Sequence, residues 1–371
     1  MINMKILFAK HNVTTDLYLS FLAKESEVYV CHHKRALTGV PEGAIEIPVK
    51  YQPAIVGRVF GLLKVPHMYP QLIPYFNKIL NEASIDNIIV GDFYDFIFAQ
   101  AVAYKKKQPD TKIYVWSETR AWPKFWFTRW VMYGFWWYFK RNLKYVEKVF
   151  VFSEEGKNFF VKHVPEVVVE VFPAAVDTKK FFPDDEKTFK PDNTLRILMN
   201  VRFIPLKDHK TLFKALKILD NKGVNFKLSL IGRGGHLKNE LLEYAEELGI
   251  GKFIKVIESV PHEQLRDIYI NHDALVLPSY REAIGMVVPE AMACGLPTVT
   301  SSVIGANTYV REGETGFIFK VGDAEDLADK LLKLSSSDIL KSFGDKASEI
   351  IEQKYSVEIL GEKFQREIGV K

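Results

Sequence analysis

Leu277-Pro-Ser-Tyr-Arg-Glu-Ala-Ile-Gly-Met-Val-Val-Pro-Glu-Ala-Met-Ala-Cys-Gly-Leu-Pro-Thr-Val299 reads as strand, loop, helix, turn and strand. Ala274 to Leu277 is a short apolar strand, and Pro278 to Gly285 is a loop closed by a glycine. Pro289 suits the first turn of a helix, where its missing N–H costs nothing. Gly295 stops that helix, Pro297 keeps it stopped, and a new strand starts at Thr298. Glu282 is thereby placed in the loop and Glu290 in the first helical turn. Both lie just past the end of a parallel strand, where open α/β sheets bind ligands. Unpaired N–H groups near Ile284, Gly285 and Met286 would make a seat for a phosphate or another electron-rich group.

Two ionised carboxylates at such a mouth suit polyols, because each accepts from two hydroxyls at once. Acids also favour helix starts for purely electrostatic reasons. The surrounding residues decide between these readings. Glu282 and Glu290, with seven residues between them and followed by Ala-Met-Ala-Cys-Gly-Leu-Pro, closely resemble the Glu-x7-Glu motif of family 4 retaining glycosyltransferases with the GT-B fold, the glycosyltransferases group 1.

Working outward, the second half of the chain alternates strand and helix from Arg196 onward, with strands at Arg196–Val201, Phe226–Ile231, Ile254–Ile257 and Ala274–Leu277. Arg202 and Lys207 follow its first strand; a planar guanidinium and a mobile ammonium there suit a diphosphate. Their spacing resembles the family's Arg-x4-Lys pair, with Val201 where glycine is usual. Gly232-Arg-Gly-Gly cannot be the dinucleotide fingerprint, since the third glycine would fall at Leu237; it resembles the family's Gly-x-Gly turn below the nucleotide. Glu258-Ser259-Val260 resembles the segment bordering the base, with Glu258 where glycine is common. The resemblance implies that Glu290 holds the ribose, Glu282 the transferred sugar, and Arg202 and Lys207 the leaving diphosphate. Such a cationic pair stabilises developing negative charge without any metal. Thr308 stands where the family usually has a glutamate.

The first half also alternates: strands at Met4–Ala9, Val28–Cys31, Ile88–Val90, Lys112–Trp116 and Val149–Phe152 are separated by helical stretches. The loop after the first strand lacks the family's glycines, and its His11 either meets an acceptor or caps the turn. Asp92 and Asp95 follow the Ile88 strand and read as loop residues. Trp116-Ser-Glu-Thr-Arg ends another strand. Glu118 either orients or deprotonates an acceptor hydroxyl, or is a loop acid paired with Arg120. Val171 to Pro183 resembles the end of the family's first domain, and polar Pro183 to Asn193 reads as a linker. The expected domains are 1–183 and 194–354, with a final helix within 355–371 returning to the first. The fold class is thus α/β: GT-B, two Rossmann-like doubly wound domains facing a central cleft.

A chain of 371 residues suits two cores, and 47% apolar with 26% charged residues is an ordinary globular mix. A net charge of +4 does not argue for nucleic acid. Cys31 and Cys294 suggest no disulfide framework, which fits a reducing cytoplasm. The N-terminal run reads as a strand and not as a leader, and no apolar run approaches the roughly 20 residues a membrane span needs. One feature is independent of any resemblance. All six tryptophans fall between Trp116 and Trp137, and Thr119 to Val146 holds six basic residues and no acid. Trp122, Trp126, Arg129, Trp130, Trp136, Trp137, Lys140 and Arg141 therefore form a candidate membrane or acceptor surface. The expectation is a hexosyltransferase of cell-surface polysaccharide or glycolipid synthesis, cytoplasmic and peripheral on the anionic inner face of the membrane, using a UDP-, GDP- or ADP-linked sugar and a glycan or lipid-linked acceptor. It would need no cofactor or metal and bind no nucleic acid. The alternatives are a GT-B sugar phosphorylase or epimerase, or an inactive carbohydrate-binding protein.

Overall fold

The computed structural model describes residues 4–9, 13–33, 41–49, 52–53, 71–72, 76–94, 96–122, 126–189, 192–232 and 235–370. His11, Asp95, Lys124 and Arg233 lie outside them. The chain divides into two units: Met1–Ala175 with Val357–Lys371, and Val176–Ser356.

The first unit is built on strands β1 (Lys5–Phe8), β2 (Glu27–His33), β3 (Ile45–Val49), β6 (Asn87–Gly91), β7 (Lys112–Ser117), β8 (Val146–Val151) and β9 (Val169–Val171), beside a two-residue antiparallel pair, β4 (Gln52–Pro53) and β5 (Gln71–Leu72). The seven form one parallel sheet in the order β3-β2-β1-β6-β7-β8-β9. Val28, Val30, Ile88, Val90, Val115 and Val149 are fully buried, as expected of parallel strands covered on both faces. Helices α1 (Val13–Leu22), α2 (Phe76–Ala83), α3 (Phe96–Lys105), α4 (Trp126–Arg141) and α5 (Glu154–His163) connect them. Ser153 caps α5, accepting from the Gly156 N–H at 3.3 Å.

The second unit repeats the plan. Strands β10 (Leu195–Asn200), β11 (Phe226–Ile231), β12 (Ile254–Ile257), β13 (Ala274–Leu277), β14 (Thr298–Ser301) and β15 (Gly316–Phe319) form a parallel sheet in the order β12-β11-β10-β13-β14-β15. Its helices are α6 (His209–Asn221), α7 (Lys238–Glu247), α8 (Leu265–Ile270), α9 (Val287–Ala293), α10 (Ala324–Lys333) and α11 (Ser337–Ile350). The order reverses between β10 and β13, so that pair marks the switch point where a doubly wound sheet opens a crevice. Gly295, at φ +69°, ends α9 as read from sequence: its N–H donates to Met292 O and that of Leu296 to Ala291 O.

The last helix, α12 (Val357–Ile368), belongs to the first unit. Phe364 is fully buried against the rings of Trp116 (4.9 Å), Phe150 (5.2 Å), Phe172 (5.4 Å) and Tyr18 (5.6 Å). Asn87 Nδ2 donates to Ile368 O at 3.1 Å.

The domain boundary requires correction. Residues 176–183, assigned above to the first domain, belong to the second unit, which begins at Val176 and so takes in the stretch read as a linker. Val176 donates to Tyr355 O, and Phe181 enters the second core. Arg266 donates to the carbonyls of Phe182 and Pro183 and lies 3.7 Å from the Phe182 ring. Arg196 donates to Thr188 O while it clasps fully buried Asp273. Asp184, Asp185 and Glu186 are exposed, as polar composition suggested, while these carbonyl and ring contacts tether the stretch to the second unit.

Candidate functional site

The β10 and β13 ends carry two loops. Val201 extends the sheet by donating to Ile231 O at 2.8 Å, and the next residue, Arg202, is exposed. Phe203 then turns inward, and a short 3-10 turn, Pro205–Lys207, leads into α6. Asp208, at φ +47°, caps α6 by accepting from the Thr211 N–H. Gly232 and Gly235 lie against this loop. A Cβ at Gly232 would sit 2.3 Å from Val201 O, and one at Gly235 2.2 Å from Phe203 O. These glycines therefore let the β10 loop pack on the β11 loop.

The second loop meets the first directly. Tyr280 N–H donates to Leu206 O at 2.9 Å, and Lys207 Nζ forms an ion pair with Glu282 Oε2. Their side chains are 11% and 23% exposed, so the pair is partly desolvated and still open on one side. Glu282 is clamped through its backbone as well: its carbonyl accepts from the Gly305 N–H at 3.0 Å. A Cβ at Gly305 would fall 1.8 Å from Ala283 O, which only glycine avoids. Gly285, at φ +69°, turns the loop into α9. Its carbonyl accepts from Val288 N–H, and Met286 O accepts from Glu290 N–H. Ile284 is buried beneath the turn.

Glu290 stands on α9, 6% exposed, with both oxygens engaged. Oε2 accepts from the Tyr269 hydroxyl at 3.1 Å, and Oε1 is 3.0 Å from His262 Nε2. Lys180 Nζ lies 2.8 Å from His262 Nδ1. An ammonium can only donate, so Nδ1 accepts and Nε2–H donates to Glu290. Complete burial, with Glu290 alongside, pushes the Tyr269 hydroxyl well above its ordinary pKa, so it remains a donor. Sequence reasoning missed this support. No local signal marks it, because His262 lies in a 3-10 turn and Tyr269 on α8, both more than twenty residues before Glu290.

Ser259 is exposed and Val260 half-buried after β12, while Glu258 is an exposed partner of Lys238 at 2.9 Å. Thr308 ends a 3-10 turn, and its carbonyl accepts from Tyr355 Oη at 3.1 Å. Among the described residues, no three His, Cys, Asp or Glu side chains form a metal-binding group.

In the first unit, Glu118 is exposed one residue past β7, while nearby Arg120 pairs with Glu155 at 3.1 Å. Asp92 ends β6 at φ +71° and is buried. It accepts from the hydroxyls of Ser117 and, at 3.3 Å, Thr119. It therefore braces the β7 loop from the adjacent strand.

The aromatic surface also needs correction. Trp136 is buried, with its ring 4.9 Å from Phe93, and Trp122 is half-buried against Tyr133 and Phe159. The phase of α4 turns position 136 inward with Met132 and Phe139. Trp126, Trp130 and Trp137, with Arg129, Lys140 and Arg141, are exposed. No helix among the described residues is long and apolar enough to cross a membrane.

With Lys207 against Glu282 at the switch point, and Glu290 a helical turn further on, comparison with known proteins becomes informative. Residues 181–356 match the family model of glycosyl transferases group 1. That match falls within the second unit. The chain is similar to the D-inositol 3-phosphate glycosyltransferase of Corynebacterium jeikeium, 30% identical over 187 residues that cover 47% of this chain and 45% of the relative. It is 31% identical over 166 residues to the capsular polysaccharide biosynthesis glycosyltransferase CapM of Staphylococcus aureus, covering 44% and 43%. These matches span less than half the length of either relative. Among solved structures, Alr3699/HepE of Anabaena in complex with UDP superposes with a TM-score of 0.73 at 15% identity, covering 100% of both chains. The fold is GT-B, with two Rossmann-like parallel-sheet domains.

Proposed function

We propose that this chain is a retaining family 4 glycosyltransferase that moves a hexose from a nucleoside-diphosphate sugar to a glycan or lipid-linked acceptor. The observation that carries this reading is the Lys207–Glu282 contact at the β10/β13 switch point. A cation for a diphosphate and a carboxylate for a sugar meet there, in a partly desolvated place where electrostatics are strengthened.

Arg202 and Lys207 hold the diphosphate and neutralise the charge that gathers on it as its bond to the anomeric carbon breaks. Glu282 faces the sugar and stabilises the cationic, oxocarbenium-like character of the transition state. Glu290 accepts from the ribose hydroxyls with the lone pairs that His262 and Tyr269 leave open, and Ser259 and Val260 border the base. These two cations supply the charge that a divalent ion would otherwise bring, so we propose no metal requirement. Glu118 orients or deprotonates the acceptor hydroxyl. The exposed tryptophans and cations of α4 support work at the cytoplasmic face of a membrane, with the protein attached peripherally.

Thermal unfolding with a panel of UDP-, GDP- and ADP-sugars tests the reading. One donor at 100 times its Kd should stabilise the chain by about 2.7 kcal/mol. Glu282→Gln should keep that stabilisation and lose donor turnover. A panel in which no nucleotide sugar moves the melting temperature removes the proposal. Sugar release that depends on orthophosphate would mark a phosphorylase instead.

A further inference from the structure

The exposed side chains of α4 are not scattered. Trp126, Arg129, Trp130, Tyr133, Trp137, Lys140 and Arg141 follow the spacing i, i+3, i+4, i+7, i+11, i+14 and i+15, which is one helical face. Trp126 is 73% exposed, Trp130 71%, Trp137 57% and Tyr133 43%. At about 100° per residue, the four rings occupy a sector of roughly 60°, with Arg129 and Lys140 on one flank and Arg141 on the other. Trp126 and Trp137 are separated by about 16 Å along the axis. The opposite face is committed: Met132, Trp136 and Phe139 are buried in the first core. The aromatic stripe therefore cannot turn inward without withdrawing these residues from it.

Three indoles on the outside of one helix form an apolar patch of the kind that marks a binding surface. Its charge says what binds. The helix has no acid, and none occurs from Thr119 to Val146. Arg141 lies 4.3 Å from the Trp137 ring, and Arg129 Nε donates to Tyr133 Oη at 3.1 Å, so cations and rings interleave. A neutral glycan would stack on indoles but gives the cations no partner. Anionic headgroups engage both, since Trp and Tyr settle at the interface and Lys and Arg meet the phosphates.

We propose that α4 is an in-plane anchor that lays Trp126, Trp130, Tyr133 and Trp137 into the surface of an anionic lipid bilayer, with Arg129, Lys140 and Arg141 on the headgroups. This rests on the membrane-face reading above and adds the orientation of α4 in the membrane plane and which side chains meet the apolar layer and which the headgroups.

The test uses the full chain with vesicles of phosphatidylglycerol and phosphatidylcholine at 30:70, and of phosphatidylcholine alone. Wild type should sediment with the anionic vesicles at low salt, with a blue shift of tryptophan emission, and release as salt rises. Trp126→Ser/Trp130→Ser/Trp137→Ser should bind at least tenfold more weakly with an unchanged far-ultraviolet spectrum. Arg129→Gln/Lys140→Gln/Arg141→Gln should lose about a hundredfold, at about fivefold per cation, while retaining its emission maximum in buffer. No sedimentation of wild type with anionic vesicles at low salt overturns the proposal. So does equal binding by the tryptophan variant, or a wild-type dimer that this variant abolishes without any lipid binding. Donor-dependent stabilisation, measured without vesicles, should be the same in all three proteins. Its absence throughout would count against the transferase reading and leave the anchor standing.

Discussion

Glu290, which we propose holds the ribose, depends on neighbours that we do not place against substrate. A 6% exposed carboxylate needs hydrogen-bond donors to stay in place, and Tyr269 and His262 provide one to each oxygen. Lys180 on the far ring nitrogen fixes which tautomer His262 holds. We place His262 as a positioning residue. His262→Ala should raise KM for the nucleotide sugar about tenfold while kcat changes little, because the grip that is lost is the same in the ground state and the transition state. His262→Gln, which can still donate, should recover most of it. An unchanged KM in His262→Ala would remove the residue from the site. Glu282 and Glu290 were legible from their spacing and surroundings. Their supports were not: His262, Tyr269 and Gly305 reach them from two 3-10 turns and a helix, and distance along the chain hides such partners.

The connection from β10 into α6 has its own pH behaviour. His209, the first residue of α6, is 2% exposed and stacks on Phe203 at 5.3 Å. Its Nε2 has no hydrogen-bond partner among the described residues. Burial, with Lys207 beside it, lowers its pKa from 6.5 to about 4. Below pH 6.5 the unfolded chain takes up a proton that the folded chain refuses until about pH 4, so stability present at neutral pH is lost across that window. His209→Phe keeps the stack and removes the titration. Its melting temperature should fall less steeply than wild type between pH 6.5 and 4; parallel curves would show that His209 is not the group responsible. Other elements differ in how plainly they were written. The strand calls at 226–231, 254–257 and 274–277 coincide with β11, β12 and β13. Helix α11 went unread, because a serine run precedes it and Gly344 interrupts it. The structure explains that glycine: a Cβ there would meet Gly295 O at 2.4 Å, so it lets α11 cross close to the end of α9.

The chain returns to its first unit only at its end. Phe364 joins a cluster of rings from β1, α1, β7, β8 and the stretch after β9, so α12 closes a core begun more than three hundred residues earlier. Phe364→Ala should cost the first unit about 3–5 kcal/mol, as large-to-small changes in a packed core do. All six tryptophans lie in that unit, so intrinsic fluorescence reads its unfolding selectively. An unmoved fluorescence transition would mean that α12 is not part of this core. The sequence alone revealed the alternation of strand and helix, both ends of β11, β12, β13 and α12, and the spacing of the Glu282/Glu290 and Arg202/Lys207 pairs. Periodicity, caps and turn residues act over a few positions and can be read in one dimension. Three matters awaited the folded chain: where the first unit ends, which tryptophans face outward, and what holds Glu282 and Glu290 in place. Each depends on groups far apart in sequence, such as Arg266 on Phe182, Phe93 on Trp136 and His262 on Glu290. Only packing brings those groups within a few ångströms of one another.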